Sequence, residues 1–190
     1  MIVYLHGFNS SPQSHKAQVL ARYLEEHGLA AHYACPALPP LAKDAIRQIE
    51  RLRLDREPCY VGSSLGGYYA TYLVEKHGGH AVLINPAIEP HVGLRAFLGE
   101  QKNLHTGAPY QLTESHLREW QEMWVAHITP ARYLLLVETG DEVLDYRRAL
   151  ERYAGAEQIV IRGGDHSLQS FPQHLPRILE FAGVRPARGA

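Results

Sequence analysis

Short apolar runs alternate with longer stretches of helical spacing along the chain. Met1–Leu5, Ala30–Ala34, Cys59–Val61, Ala81–Ile84, Tyr133–Val137 and Gln158–Ile161 are mostly apolar, and each is followed within a few residues by Gly, Pro or Asn, the punctuation expected between strand, turn and helix. They show little alternation of apolar and polar positions. Strands read this way when both faces of their sheet are covered, so the pattern predicts six strands of a parallel sheet with helices on either side.

The intervening stretches carry the complementary signal. Ser14–Glu26 places Ala17, Leu20, Ala21 and Leu24 on one face, and Leu41–Leu54 does so with Ala45, Ile49 and Leu52, as helices covering a sheet must. Further helices are expected from Ser64 through Tyr69–Lys76, over Val143–Tyr153, and over Phe171–Phe181, with Pro172 in the first turn and Gly183 just past the end. A polar tail, Val184 to Ala190, is expected to fray.

The connection from Ile84 to Tyr133 is far longer than a plain crossover needs. It holds Leu117, Trp120, Met123, Trp124 and Ile128 at helical spacing, with Thr113 as N-cap. Two readings stand side by side: a helix covering the sheet, or a lid over a pocket built from about 86–130. The extra segments Leu94–Leu98 and Gly107–Tyr110 favour the second.

Composition narrows the class. At 190 residues the chain can bury a full core and argues for one domain over 1–190. Hydrophobic residues at 45% and charged residues at 21% argue against disorder, a coiled coil or a collagen-like fibre. Lys and Arg number 19 against 20 Asp and Glu, and no basic run stands out, so no nucleic-acid partner is expected. No apolar stretch reaches the ~18 residues of a membrane span, and the first residues lack a basic region and a cleavage site; the expectation is a cytoplasmic protein without a membrane partner. Cys35 and Cys59 are too few to staple such a chain and are expected as free thiols.

Chemistry concentrates at Gly62-Ser63-Ser64-Leu65-Gly66-Gly67, directly after one expected strand and before a helix. This is the context of a nucleophile elbow, where the positions two before and two after the serine must be glycine to clear neighbouring backbone. Register selects Ser64, since Ser63 would be flanked by Val61 and Leu65. Phosphate-loop and dinucleotide patterns are absent.

A serine hydroxyl needs a histidine base downstream, oriented by a carboxylate between them in the chain. His166, in the loop Arg162-Gly163-Gly164-Asp165-His166-Ser167, follows the last expected strand at the carboxyl edge where open α/β sheets build their sites. The preceding strand runs into Glu138-Thr139-Gly140-Asp141-Glu142, and Asp141 is the preferred acid, with Asp165, Asp145 and Glu138 as alternatives. The backbone N–H groups of Phe8 and Leu65 are expected to form the oxyanion hole. His6 is read as a buried support of the Phe8 loop. No zinc-ligand spacing recurs, so neither a metal nor another cofactor is expected.

The chain resembles the YqiA-type bacterial esterases of the α/β-hydrolase superfamily. The resemblance rests on Tyr4-Leu5-His6-Gly7-Phe8-Asn9-Ser10-Ser11-Pro12, Val61-Gly62-Ser63-Ser64-Leu65-Gly66-Gly67-Tyr68-Tyr69-Ala70, Asn85-Pro86-Ala87, Leu98-Gly99 and Thr139-Gly140-Asp141-Glu142-Val143-Leu144-Asp145-Tyr146. It implies a minimal hydrolase sheet of six parallel strands and hydrolysis of small acyl esters or thioesters. Two departures stand out. Asp165 occupies a position where the family carries Asn, and Glu89 one where a basic residue is common, which argues against grip on an anionic acyl carrier there. In hydrolase strand order Cys35 and Cys59 lie on strands flanking the first, about 9.6 Å apart, beyond disulfide reach. On the lid reading, Phe97, Trp120 and Trp124 supply an apolar acyl pocket. The competing function is a non-catalytic protein of the same fold that binds a small ligand or partner.

Overall fold

Side chains from each central strand leave alternately toward two separate apolar layers, which is why these strands are apolar throughout. The computed structural model describes residues 1–190 apart from Arg53, Asp55, Arg56, His105 and 186–190. Its strands are β1 (Ile2–Leu5), β2 (Tyr33–Ala34), β3 (Cys59–Ser63), β4 (His80–Ile84), β5 (Gly99–Lys102), β6 (Pro109–Leu112), β7 (Tyr133–Glu138) and β8 (Glu157–Ile161). Six form a parallel sheet in the order β2-β1-β3-β4-β7-β8, and β5 with β6 makes a separate antiparallel pair. The α-helices are α1 (His15–Glu26), α2 (Ala42–Glu50), α3 (Leu65–His77), α4 (Pro90–Gly93), α5 (Glu114–Glu122), α6 (Tyr146–Arg152) and α7 (Phe171–Phe181). None among the described residues is long and apolar enough to cross a membrane.

On one face of the sheet Val3, Leu5, Leu83, Leu135 and Val137 meet α2, α3, α5 and α6. On the other, Ile2, Val61, Val82, Ile84 and Leu136 meet α1 and α7. Burial of this kind contributes about 1.5–3 kcal/mol for each large apolar side chain.

Boundaries shift where local chemistry overrides periodicity. Ala30–His32 is a 3-10 turn rather than strand, leaving Tyr33–Ala34 as a short edge. The expected helix over Leu41–Leu54 ends at Glu50, and its Arg53 lies outside the described residues, as does the tail beyond Arg185. The helix expected from Val143 starts at Tyr146, because the Asp145 carboxylate accepts the Arg147 amide at 3.0 Å and caps it there. Thr113 does cap α5, but the helix stops at Glu122, short of Trp124 and Ile128.

The insertion between β4 and β7 divides in two. Its helix α5 sinks Leu117 and the fully buried Trp120 into the layer shared with α2 and α3. The Trp120 indole donates to the Tyr69 hydroxyl at 3.0 Å, and the Tyr68 hydroxyl donates to the Trp120 carbonyl. This part covers the sheet.

Cys59 opens β3 and Cys35 follows β2, with β1 between them, and both thiols are free. Burial pushes Cys59 up to about 12 and Cys35 up to about 11. Since the thiolate is the reactive form, a disulfide-exchange reagent at pH 8 should modify the native protein slowly and both thiols rapidly once denatured. Fast stoichiometric reaction of the native protein would contradict this packing.

Candidate active site

At the junction of β3 and α3 three backbones pass so closely that side chains are excluded. A Cβ on Gly62 would stand 2.4 Å from the Gly66 carbonyl oxygen, one on Gly66 1.9 Å from the Leu5 carbonyl oxygen, and one on Gly67 2.7 Å from Pro86 Cβ. The chain therefore turns within a single residue, and Ser64 takes φ 53 and ψ -118. Such a conformation costs a non-glycine residue about 1–3 kcal/mol. Its amide donates to the Ile84 carbonyl at 3.0 Å, and its carbonyl accepts from the amides of Gly67 at 2.9 Å and Ala87 at 3.0 Å.

The loop after β1 lies against this turn: a Cβ on Gly7 would meet Ser64 Cβ at 3.3 Å. Buried His6 holds it. The His6 Nε2 accepts the Leu38 amide at 3.0 Å, which leaves the proton on Nδ1, 3.1 Å from the Gly7 carbonyl oxygen. Among the described residues neither the Phe8 nor the Leu65 amide has an intramolecular acceptor.

His166 sits in the loop after β8, where its Nδ1 lies 2.8 Å from Asp141 Oδ2. The Asp141 side chain is 1% exposed against 23% for the ring. Its other oxygen accepts the amides of Val143 and Leu144, each at 2.8 Å. Burial pushes this carboxyl up, but the His166 ring and the two amides outweigh it and hold it below the usual range. An ionised Asp141 accepts a hydrogen bond from Nδ1–H, which leaves the Nε2 lone pair free to act as a base. The other carboxylates are occupied elsewhere: Asp145 caps α6, Asp165 accepts the Ser167 amide at 2.8 Å, and Glu138 binds the backbone of 165–170.

Ser64, Leu65, Gly7, Phe8 and His166 line one cavity of about 870 Å³. Its apolar side includes Ile88, Val92, Leu94 and Phe97 from the first part of the insertion. Phe97 meets Phe8 edge-on at 5.6 Å, and the Tyr110 hydroxyl donates to Asn9 Oδ1 at 2.9 Å, so the insertion is tied to the β1 loop twice. Trp120 and Trp124 do not line this cavity, which corrects their expected part in an acyl pocket. Trp120 is core, and Trp124 lies under the Arg152 guanidinium, 4.4 Å from its ring centre, by a different crevice. Glu89 is neutralised by Arg148 on the cavity wall.

Three neighbours went unread. Asn85, at φ 40, bridges the ends of β4 and β7 to the His166 loop; its signals were the Asn-Pro step closing a strand and its place in the Asn85-Pro86-Ala87 block, neither of which indicates this role. Glu142 accepts the His166 amide at 3.0 Å. Lys16, half-buried in α1, donates to the Ser167 carbonyl at 2.7 Å, its ammonium lowered by burial and partly restored by Asp165, Asp141 and Glu138. Among the described residues no group of three His, Cys, Asp or Glu is placed to hold a metal ion.

A family described as "Uncharacterised protein family (UPF0227)" matches residues 1–183. A UPF0227 protein of Shewanella sp. (strain ANA-3) is 27% identical over 191 residues, covering 95% of this chain and 98% of its own length. The UPF0227 protein YcfP of Salmonella arizonae is 24% identical over 186 residues, with the same coverage of 95% and 98%. Mouse alpha/beta hydrolase domain-containing protein 10 superposes with a TM-score of 0.68 at 17% identity, over 94% of this chain and 87% of that one. Est1E from Butyrivibrio proteoclasticus, with ferulic acid bound, gives 0.64 at 15% identity, over 95% and 86%. At such identities the likeness is one of fold, and the fold is that of an α/β-hydrolase.

The two buried carboxylates at the end of β7 set an acid limit on stability. Burial pushes Glu138 up, and the Ser170, Asp165 and Gln169 donors more than reverse it, so its folded value is depressed like that of Asp141. A depressed carboxylate contributes fully above its unfolded value of about 4 and loses that contribution as pH falls through the lower folded value. Urea unfolding should show this stabilisation intact at pH 5–7 and declining below about pH 4. Stability that rises below pH 4 would contradict the assigned shifts.

Proposed function

The chain belongs to the UPF0227 family, and we propose that it is a serine esterase hydrolysing small carboxylic esters or thioesters through an acyl-enzyme. The reading is carried by one observation: His166, whose Nδ1 lies 2.8 Å from the buried Asp141 carboxylate, lines the same cavity as the strained Ser64.

Ser64 is then the nucleophile of an elbow, with Asp141 and His166 completing the triad. Its Oγ attacks the acyl carbon while its proton passes to His166 Nε2. Asp141 holds the ring and stabilises the imidazolium. Charge developing on the carbonyl oxygen is met by the Phe8 and Leu65 amides, which already face no other acceptor among the described residues. The imidazolium returns the proton to the departing alcohol or thiol, and the acyl-enzyme forms. Water then attacks the acyl carbon as its proton passes to His166, the bond to Ser64 Oγ breaks, and the acid leaves as Ser64 takes the proton back from the imidazolium. Two free thiols suit a reducing compartment such as the cytoplasm.

The acyl group lies along the apolar wall at Ile88, Leu94 and Phe97. Phe97 is 47% exposed at the mouth, so it touches the far end of a chain rather than the scissile bond. In a panel of acyl esters of graded length, Phe97→Ala should lower kcat/KM for the longest accepted chain about tenfold, or about 1.4 kcal/mol, and leave acetyl esters unchanged. An equal loss at every length would remove Phe97 from the acyl site.

The nucleophile has a sharper test. Ser64→Ala should keep the fold and reduce ester turnover by roughly a million-fold, and a serine-reactive fluorophosphonate should label the wild type but not this variant or His166→Ala. A wild type that neither labels nor hydrolyses any ester would point instead to a non-catalytic ligand-binding protein of the same fold.

A further inference from the structure

Behind the His166 loop lies a buried carboxylate that the proposed chemistry leaves without a task. Glu138 ends β7 and is 1% exposed, a costly place for a charge unless its oxygens are met by donors. They are. Oε2 accepts the amides of Asp165 at 2.8 Å and Gln169 at 3.2 Å, and Oε1 accepts the amide of Ser170 at 3.0 Å and its hydroxyl at 2.7 Å. One side chain thus grips the loop on both sides of His166.

Two further features are shaped around this grip. Gly164 has φ 69, and a Cβ there would fall 1.9 Å from Glu138 Oε2. Asn85, at the end of the adjacent β4, accepts the Glu138 amide at 3.1 Å and places its Nδ2 3.2 Å from the carbonyls of both Asp165 and His166. The loop's amides and carbonyls are therefore held from two neighbouring strand ends. A loop needing only to be tethered could use one such contact, whereas this set fixes the backbone immediately before and after the imidazole.

We infer that Glu138 is a positioning residue, whose carboxylate, together with Asn85, holds the His166 loop in the orientation that sets Nδ1 against Asp141. The kinetic part of the inference rests on the esterase reading above; the geometric part does not.

Glu138→Gln preserves volume but replaces one of two accepting oxygens by an NH₂ donor. Whichever way the amide turns, a donor faces donors, either the Asp165 and Gln169 amides or the Ser170 amide. Compared at a temperature where circular dichroism finds both proteins folded, Glu138→Gln should lower kcat about a hundredfold, the scale of a misplacement near 1 Å, with KM within twofold. The downfield Nδ1 proton resonance of His166 should weaken or vanish, and the amides of Asp165, Gln169 and Ser170 should exchange at least tenfold faster while those of β7 keep their protection.

A folded Glu138→Gln protein with that resonance intact, those amides protected and kcat within twofold overturns the inference, leaving Glu138 a residue of stability alone. If Glu138→Gln does not fold, Ser170→Ala decides: it removes only the hydroxyl from Oε1 and should lower kcat about threefold with faster exchange at 165–170, and no change in either overturns the inference. If the wild type shows no hydrolysis or labelling, the esterase reading fails, and the resonance and exchange rates still decide the positioning role.

Discussion

The site depends on a close approach of main chain to main chain beneath Ser64. The end of β1, the end of β3 and the first turn of α3 converge there, and the separations leave no room for a Cβ on Gly62 or Gly66. Once these three segments are pressed together, the residue between strand and helix has little choice of backbone angles. The strain at Ser64 is sustained by β3's parallel pairing with β1 and β4 on either side. The same approach lays the Gly7–Phe8 loop against the serine. Apposition of a hydroxyl with the loop expected to bind an oxyanion follows from sheet geometry rather than from any contact between the two side chains.

At the end of β7 two buried carboxylates stand three positions apart and are used differently. Asp141 spends one oxygen on an imidazole and the other on two amides of its own turn. Glu138 spends both on the backbone and one hydroxyl of the loop that carries that imidazole. A single carboxylate could not serve both ends, because a ring nitrogen and the amides on either side of its own residue lie in different directions. With each group satisfied, neither charge needs to be neutralised by a proton, which is why both are held below the usual carboxylate range.

Most of the sheet was legible because its strands are covered on both sides and so announce themselves by continuous apolarity. The strained turn at Ser64 was legible because close backbone approach writes itself as glycine at fixed offsets. Asp141 was preferred over Asp165, which adjoins His166 in sequence, and over Asp145, which lies a turn further along, by its place just past the strand end. The helix cap at Asp145 was not, since a carboxylate suits either a ring or an amide until its direction is known. Asn85 and Glu138 were opaque for a related reason: side chains that satisfy loop backbone leave no periodicity and no spacing rule. The β5–β6 pair was missed because Gly99–Lys102 and Pro109–Leu112 are largely polar, without the apolar run by which the other strands were found. Trp120 and Trp124 misled through size alone, since a large aromatic residue fills a core as readily as it walls a cavity.

The insertion shows how one long connection can serve two demands. Its second part, through α5, is anchored by Trp120 and Leu117 in the layer over the sheet and cannot leave without uncovering that layer. Its first part, Pro90 to Phe97, is a short helix and a 3-10 turn that leaves Val92 and Phe97 largely exposed at the cavity. Fixed burial at one end and exposed apolar surface at the other give a wall that is held in place yet presents grease to whatever enters. Val143, from the Asp141 turn, also lines the cavity and is exposed. Exposed apolar groups thus line the same opening as Ser64 and His166. Water wets such surface poorly, so an apolar substituent gains by lying along it.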